Sequence, residues 1–276
     1  MLLHGELTQL LLIVHHVAVD MTSLCLIANE MKASVDALLS GKSHAGLAPL
    51  PVQYADYAYW QHELLVADDD AVTWWATQLD GVPELLSLPL DMSRPPKQQG
   101  RAQEVRFNIS AKVTEAFGIV NRDAGSSLVC GLLLAWMTML RRVSGQADVV
   151  AGLPHSQRDA PELQSLVGDF INTIPVRFSA PLSTPVLQAL GALQGQLQDC
   201  FRREVPIHRI VDAHGARRST SHAPLFQTML QFYSWREAPP RSTADHILAS
   251  ASESIGLEQL RAPMVKLDLE LQLRQH

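Results

Sequence analysis

Apolar positions along the chain change period several times, and each change marks an element. Leu10 to Val14 is a continuous apolar run of strand length with β-branched content, which predicts a buried strand. Past His15 and His16 the period becomes helical. Leu24, Ile27, Met31, Val35 and Leu38 would put one apolar face on a core. Thr22 and Ser23 are candidate caps for that helix, and Ser40-Gly41-Lys42 ends it. Ser43 to Pro51, rich in Gly, Ala and Pro, is a loop. Tyr54, Tyr57 and Trp60-Gln61 recur every three to four residues, as an aromatic core helix would. Trp74, Trp75 and Leu79 belong to another helix, and Pro83 to Pro89 forms an extended link.

The second half alternates strands and helices. Pro95 to Arg101 reads as a polar hinge, which puts a lobe boundary near residue 95. Val105 to Ile109 predicts a strand, and Ser110 caps a helix over 111–122. Ser126-Ser127 caps the next, where Leu128, Leu132, Trp136, Met137 and Leu140 form an apolar stripe and Gly145 marks the end. Asp148 to Pro154 reads as a buried strand and His222 to Leu230 as another. Arg236 to Ser254 is polar and predicts a mobile loop, and Lys266 to Leu273 alternates like a half-buried strand.

Composition narrows the picture. The 276 residues suffice for a sizeable core, in one large domain or two lobes. A hydrophobic share of 47% and a charged share of 18% are ordinary for a globular protein. The net charge of −6 offers no basic footprint, so nucleic acid is not an expected partner. Cys25, Cys130 and Cys200 lie far apart in apolar helical contexts and read as buried thiols of a reducing compartment. The apolar stretch from Leu7 to Val19 is too short and polar to span a bilayer and lacks the basic flank of a signal peptide. These features predict a cytoplasmic protein with no membrane partner.

The chemistry-bearing stretch is His15-His16-Val17-Ala18-Val19-Asp20, at the end of the first apolar run, where a scaffold presents reactive groups. Neighbouring residues of a strand face opposite ways, so one histidine would meet a cleft and the other packing. The stretch resembles the HHxxxDG signature of condensation domains of nonribosomal peptide synthetases, members of the chloramphenicol acetyltransferase-like acyltransferases. Further landmarks follow in that family's order. Pro51 to Gln61 resembles PxQYxDYAxWQ, and Leu86 to Pro95 has the look of LELPxDxxRP. Asp148 to Arg158 is similar to DVVVGTPVAGR, and Leu166 to Arg177 to IGxFVNTLPLR. Cys200 to Ala213 resembles HQDVPFERLVE only weakly. His222 to Leu230 is similar to SPLFQVMF, and Lys266 to Leu271 to KFDLTL.

The resemblance implies an α/β (α+β, mixed-sheet) chloramphenicol acetyltransferase-like two-lobe fold with most of the first lobe missing. Residues 1–95 would be the rear of the N-terminal lobe, and 96–276 a C-terminal lobe incomplete at its end. The sequence is therefore expected to be a fragment. The implied reaction is attack of an acceptor amine on a donor thioester, both held on phosphopantetheine arms of carrier proteins. An adenylation domain would be a neighbour, and no cofactor or metal would bind the chain itself. His16 is the expected catalytic residue, as base or as orienting group, because an imidazole exchanges protons near neutrality. His15 is expected to be structural, and Asp20 to pair with Arg158 and hold the loop. Met21, Asn172 and Gln227 are the substrate-cleft candidates.

Met21 stands where the family has glycine, and this substitution argues for an alternative, a catalytically inactive carrier-protein-binding module or a degenerate remnant. Epimerising or ester-forming relatives are not excluded by the histidine motif. A metal hydrolase using His15, His16 and Asp20 is disfavoured, because adjacent strand residues diverge and make a poor metal cage.

Overall fold

A computed structural model describes residues 2–4, 7–9, 12–66, 69–234 and 266–275. A short antiparallel pair, β1 (Leu2–His4) and β2 (Leu7–Gln9), precedes helix α1 (Met21–Leu39). Helices α2 (Tyr54–Val66), α3 (Asp69–Gln78), α4 (Ala111–Asp123) and α5 (Leu128–Ser144) follow. Then come β3 (Val149–Ser156), β4 (Ile171–Phe178), α6 (Val186–Arg202), α7 (Ile207–His214), β5 (Thr228–Ser234) and β6 (Leu269–Gln275). The predicted loop at 236–254 lies outside the described residues.

Strands β3 to β6 form one mixed sheet in the order β4-β3-β5-β6. β3 pairs antiparallel with β4, with Gly152 opposite Pro175, and parallel with β5. β5 and β6 are parallel, with Thr228 opposite Leu269. Along β3 the residues Val149 to Leu153 are all buried. Burial on both faces suits a strand whose run is continuously apolar rather than alternating. α5 covers the sheet with Leu133, Met137 and Leu140, and Trp136 sends its indole N–H 3.0 Å to Thr228 Oγ1 in the interior. Ser127 caps α5 through Cys130 N, and Gly145 closes it in the left-handed conformation at φ 71°. Only glycine adopts that conformation without steric cost.

Several elements depart from the expected pattern. Residues 12–14 form no ladder; Ile13 is 85% exposed, and Leu10 and Leu11 are outside the described residues. A strand is stable only where a partner accepts its hydrogen bonds, and no described strand lies beside this one. The apolar face predicted for α1 is largely uncovered for the same reason. Met31, Val35 and Leu38 are exposed, while Ser23, Cys25 and Ala37 are buried. Val105, Phe107 and Ile109 also stay exposed and outside any strand. At 222–230 only Thr228 onward is strand.

The boundary expected near 95 does not separate packing units. Trp75, Leu79 and Leu86 belong to the same core as α5, β3 and α6. Trp75 Nε1 donates to Arg203 O at 2.6 Å, and Arg177 Nη1 donates to Gln78 O and Asp80 O behind α3. The hinge at 95–101 is itself tied down. Arg94 Nη1 reaches Asp268 Oδ1 at 2.8 Å, and Gln98 N donates to Thr220 O. A second, smaller core of Tyr57, Leu166 and Phe170 joins α2 to the segment before β4, and this is where the candidate residues gather.

Candidate functional site

The histidines do not sit on a strand. His16 to Ala18 form a single 3-10 turn, with His15 as its cap: His15 Nδ1 accepts from Val17 N at 3.1 Å. The strand rule of alternating faces therefore has no purchase here, and both histidines are exposed. His15 is a local cap rather than a packed residue. The His16 side chain is 69% exposed, with Nδ1 lying 3.4 Å from Asp169 Oδ2.

Beneath the turn the chain is held rigidly. Asp20, not Thr22 or Ser23, caps α1: Oδ1 accepts from Ser23 N at 2.7 Å. A carboxylate at a helix N-terminus meets unpaired amides and a favourable dipole. Arg158, 138 residues away, donates from Nη2 to Asp20 Oδ1 and from Nε to Oδ2, both at 3.1 Å. Its remaining N–H groups reach Ser23 Oγ, Leu163 O and Leu166 O, and the guanidinium lies 4.0 Å from the centre of the Phe170 ring. Both partners are buried. Burial opposes the Asp20 charge, but hydrogen bonds from Arg158 and from the Ser23 amide outweigh it, leaving the carboxyl below its usual range.

Gly168 is the third strut. Asp20 N donates to Gly168 O at 3.1 Å; Ser23 Oγ donates to the same oxygen and accepts from Gly168 N. A Cβ at Gly168 would stand 2.0 Å from Tyr54 Cδ2, so the close approach requires glycine. Tyr54 packs edge-on against Phe170 and donates to Asp169 O at 2.7 Å. The landmark around Tyr54 thus does more than fill the core: it fixes the residue that faces His16.

Met21 takes the first position of α1 and is 47% exposed. Its φ is negative, since Leu225 is the one non-glycine residue with positive φ among the described residues. Replacing the family's glycine therefore costs no backbone strain here; what it adds is side-chain bulk five residues from His16. The other two cleft candidates are interior. Asn172 is buried, donates to Glu204 Oε1 and Val205 O, and accepts from Ile207 N. Gln227, 2% exposed, spends its amide on Leu86 N, Glu84 O and Ala223 O. It ties the link at 84–86 to the start of β5, well placed for architecture.

Reading the sequence alone missed Asp169, His155, Gln157 and Glu204. Glu204 Oε2 lies 2.8 Å from His155 Nδ1, while Oε1 accepts from Gln157 and Asn172. The Glu204 hydrogen bond raises the His155 pKa against the opposing effect of burial. Gln157 in turn accepts from Tyr57 OH and Gln61 Nε2. One polar network thus runs from α2 through β3 to the α6–α7 link. Tyr57, Gln61 and Asn172 lie in the matched landmarks, but nothing in the sequence joins them to His155 and Glu204.

A family model for the condensation domain matches residues 4–274. This chain belongs to the condensation-domain family. Malpinin synthetase of Mortierella alpina is 34% identical over 232 residues, 82% of this chain and 3% of that protein. Phosphinothricin tripeptide synthetase PhsB of Streptomyces viridochromogenes is 34% identical over 224 residues, covering 80% of this chain and 19% of the relative. The X-domain from teicoplanin biosynthesis superposes with a TM-score of 0.74 at 26% identity, covering 82% of this chain and 51% of that one. A four-domain nonribosomal peptide synthetase bound to AMP and glycine shares the fold, with a TM-score of 0.71 at 23% identity, covering 80% of this chain and 16% of that one. The chain thus spans about half the length of the X-domain and a small part of the synthetases. The chloramphenicol acetyltransferase-like condensation fold, and kinship with the synthetases of secondary metabolism, agree with the motif reading. Among the described residues no helix alone is long and apolar enough to cross a membrane, and the apolar pair α4–α5 is bent by 104°.

Proposed function

We propose that this condensation domain serves amide-bond formation between two carrier-bound substrates, with His16 as the catalytic residue. The acceptor amine attacks the donor thioester carbonyl; His16 takes the amine proton or orients the amine, and the thiol leaves protonated. Substrates would arrive on phosphopantetheine arms of donor and acceptor carrier proteins, beside an adenylation domain, and the domain itself would need no cofactor. The buried thiols Cys25, Cys130 and Cys200 suit a reducing cytoplasm. The observation that carries the reading is the pairing of an exposed imidazole with a buried, locked loop: Asp20 and Arg158 fix the backbone four residues beyond His16. Preorganisation of this kind holds an acid–base group at a constant position while leaving it open to substrate. In this reading Asp20, Arg158 and His15 orient the turn and Met21 borders the cleft, while Asn172 and Gln227 have interior, supporting roles in the fold.

The test is product formation from a donor thioester and an acceptor amine on carrier proteins. The His16→Ala variant should lose about 10²–10⁴-fold in rate with an unchanged circular dichroism spectrum. Full retention of rate would end the proposal. A second reading, a non-catalytic docking module, is favoured by the bulk of Met21 and by likeness to the X-domain, which has been solved in complex with OxyB. Carrier-protein binding without any product in the unaltered protein would select it.

A further inference from the structure

Asp169 occupies a position where the similar IGxFVNTLPLR motif prescribes no residue, yet it is the carboxylate beside His16. Its placement is fixed from four sides. Gly168 O accepts from Asp20 N, Phe170 N donates to Asp20 Oδ2, Tyr54 OH donates to Asp169 O, and Ile171 N donates to Asp169 Oδ1 at 3.2 Å. With Oδ1 engaged by its own strand, Oδ2 is the oxygen presented to the imidazole, 3.4 Å from His16 Nδ1. The Asp169 side chain is 26% exposed and that of His16 69%, so water reaches the contact from the imidazole side while the carboxylate is held by the fold. The separation is that of an ion-pair contact rather than a full hydrogen bond. Contacts of this kind often tighten only when substrate binds.

We propose that Asp169 is a positioning residue of this site: Oδ2 accepts the Nδ1 proton of His16 and fixes the imidazole as the tautomer whose Nε2 lone pair is free toward substrate. Which nitrogen of a neutral imidazole carries its proton is set by the hydrogen bond the other nitrogen makes. A carboxylate behind the ring both selects the tautomer and stabilises the imidazolium formed when Nε2 takes a proton. The inference deepens the reading of His16 as the catalytic residue and rests on it for its role in the reaction, though not for the pairing itself.

The closing experiment reads the tautomer directly. The protein is labelled with ¹⁵N in its histidine rings, and His16 is assigned from the signals lost in His16→Gln. At a pH where the ring signals of His16 no longer change with further addition of base, the unaltered protein should show the Nδ1–H form of His16. In Asp169→Asn the carboxamide oxygen stays on Ile171 N and the NH₂ group faces Nδ1. That donor inverts the preference, and the Nε2–H form should dominate. Asp169→Ala, which offers neither donor nor acceptor, should also lose the Nδ1–H preference and guards against a misfolded amide variant. In the condensation assay Asp169→Asn should lower kcat at least tenfold with the KM for the carrier-bound acceptor little changed. An Nε2–H form in the unaltered protein, or the same tautomer in all three proteins, overturns the pairing. If the tautomer inverts but product formation is indifferent to both Asp169→Asn and His16→Ala, the pairing stands and the catalytic reading of His16 falls.

Discussion

Replacing Arg158 by methionine removes five donated hydrogen bonds in one step: two to Asp20, one to Ser23 Oγ and one each to Leu163 O and Leu166 O. Methionine fills much of the space, so the loss is electrostatic rather than a cavity. The side chains of Arg158 and Asp20 are 5% and 1% exposed, which leaves water no route to replace the guanidinium. Removing one partner of a buried pair typically costs about 3–5 kcal/mol because the other charge is stranded. Asp20 keeps the amides of Ser23 and Phe170, which holds the loss below the top of that range. Leu163 O keeps the amide of Leu166, but the carbonyl of Leu166 is orphaned, which holds the loss above the bottom, so the expected loss is about 4 kcal/mol. Domains total about 5–15 kcal/mol, so the variant should be folded but fragile. Urea denaturation reads this as a lower midpoint at an unchanged slope. In the double variant with Asp20→Asn the loss should be smaller than the sum of the two single losses, since the stranded charge is gone while the cap to Ser23 N survives. A loss below about 1 kcal/mol for Arg158→Met would refute the claim that this pair locks the loop. The pH dependence carries the same sign. The folded-state Asp20 pKa is lowered, so its stabilisation is present above about pH 4 and disappears as pH falls through the folded value.

Gly168→Ala should cost about 1–3 kcal/mol, because the new Cβ meets the Tyr54 ring and neither side can retreat; a loss of near-ultraviolet tyrosine dichroism at unchanged helix content would accompany it. The His155–Glu204 pair predicts the opposite pH trend. The folded-state His155 pKa is raised, so the pair's stabilisation is full below about pH 6.5 and is lost as pH rises through the folded value. Melting temperatures followed upward from about pH 6 should fall more steeply for the unaltered protein than for Glu204→Gln; parallel curves would contradict the assignment.

The helices α4 and α5, with their serine caps and the closing glycine, and the strands β3 and β6 were legible because their signals are local. A cap, a period and a left-handed glycine act within one turn or one strand. Family membership was legible for a related reason: the motifs are contiguous runs whose order survives in the chain. What local pattern could not supply was what lies beside an element. The run at 10–14 and the apolar face of α1 carry the right residues for burial, but no described strand or helix covers residues 12–14 or most of that face, so Ile13, Met31, Val35 and Leu38 stand in the open. The pairing of Asp20 with Arg158 could be named only by resemblance, since nothing in composition links positions 138 residues apart. Asp169 and Glu204 were illegible altogether. Each is an ordinary acidic residue in sequence, and only the approach of Gly168 to Tyr54 and of β4 to the α6–α7 link turns one toward His16 and the other toward His155. Side-chain chemistry is written in the chain, whereas the partner that gives it a role is set by packing between distant segments.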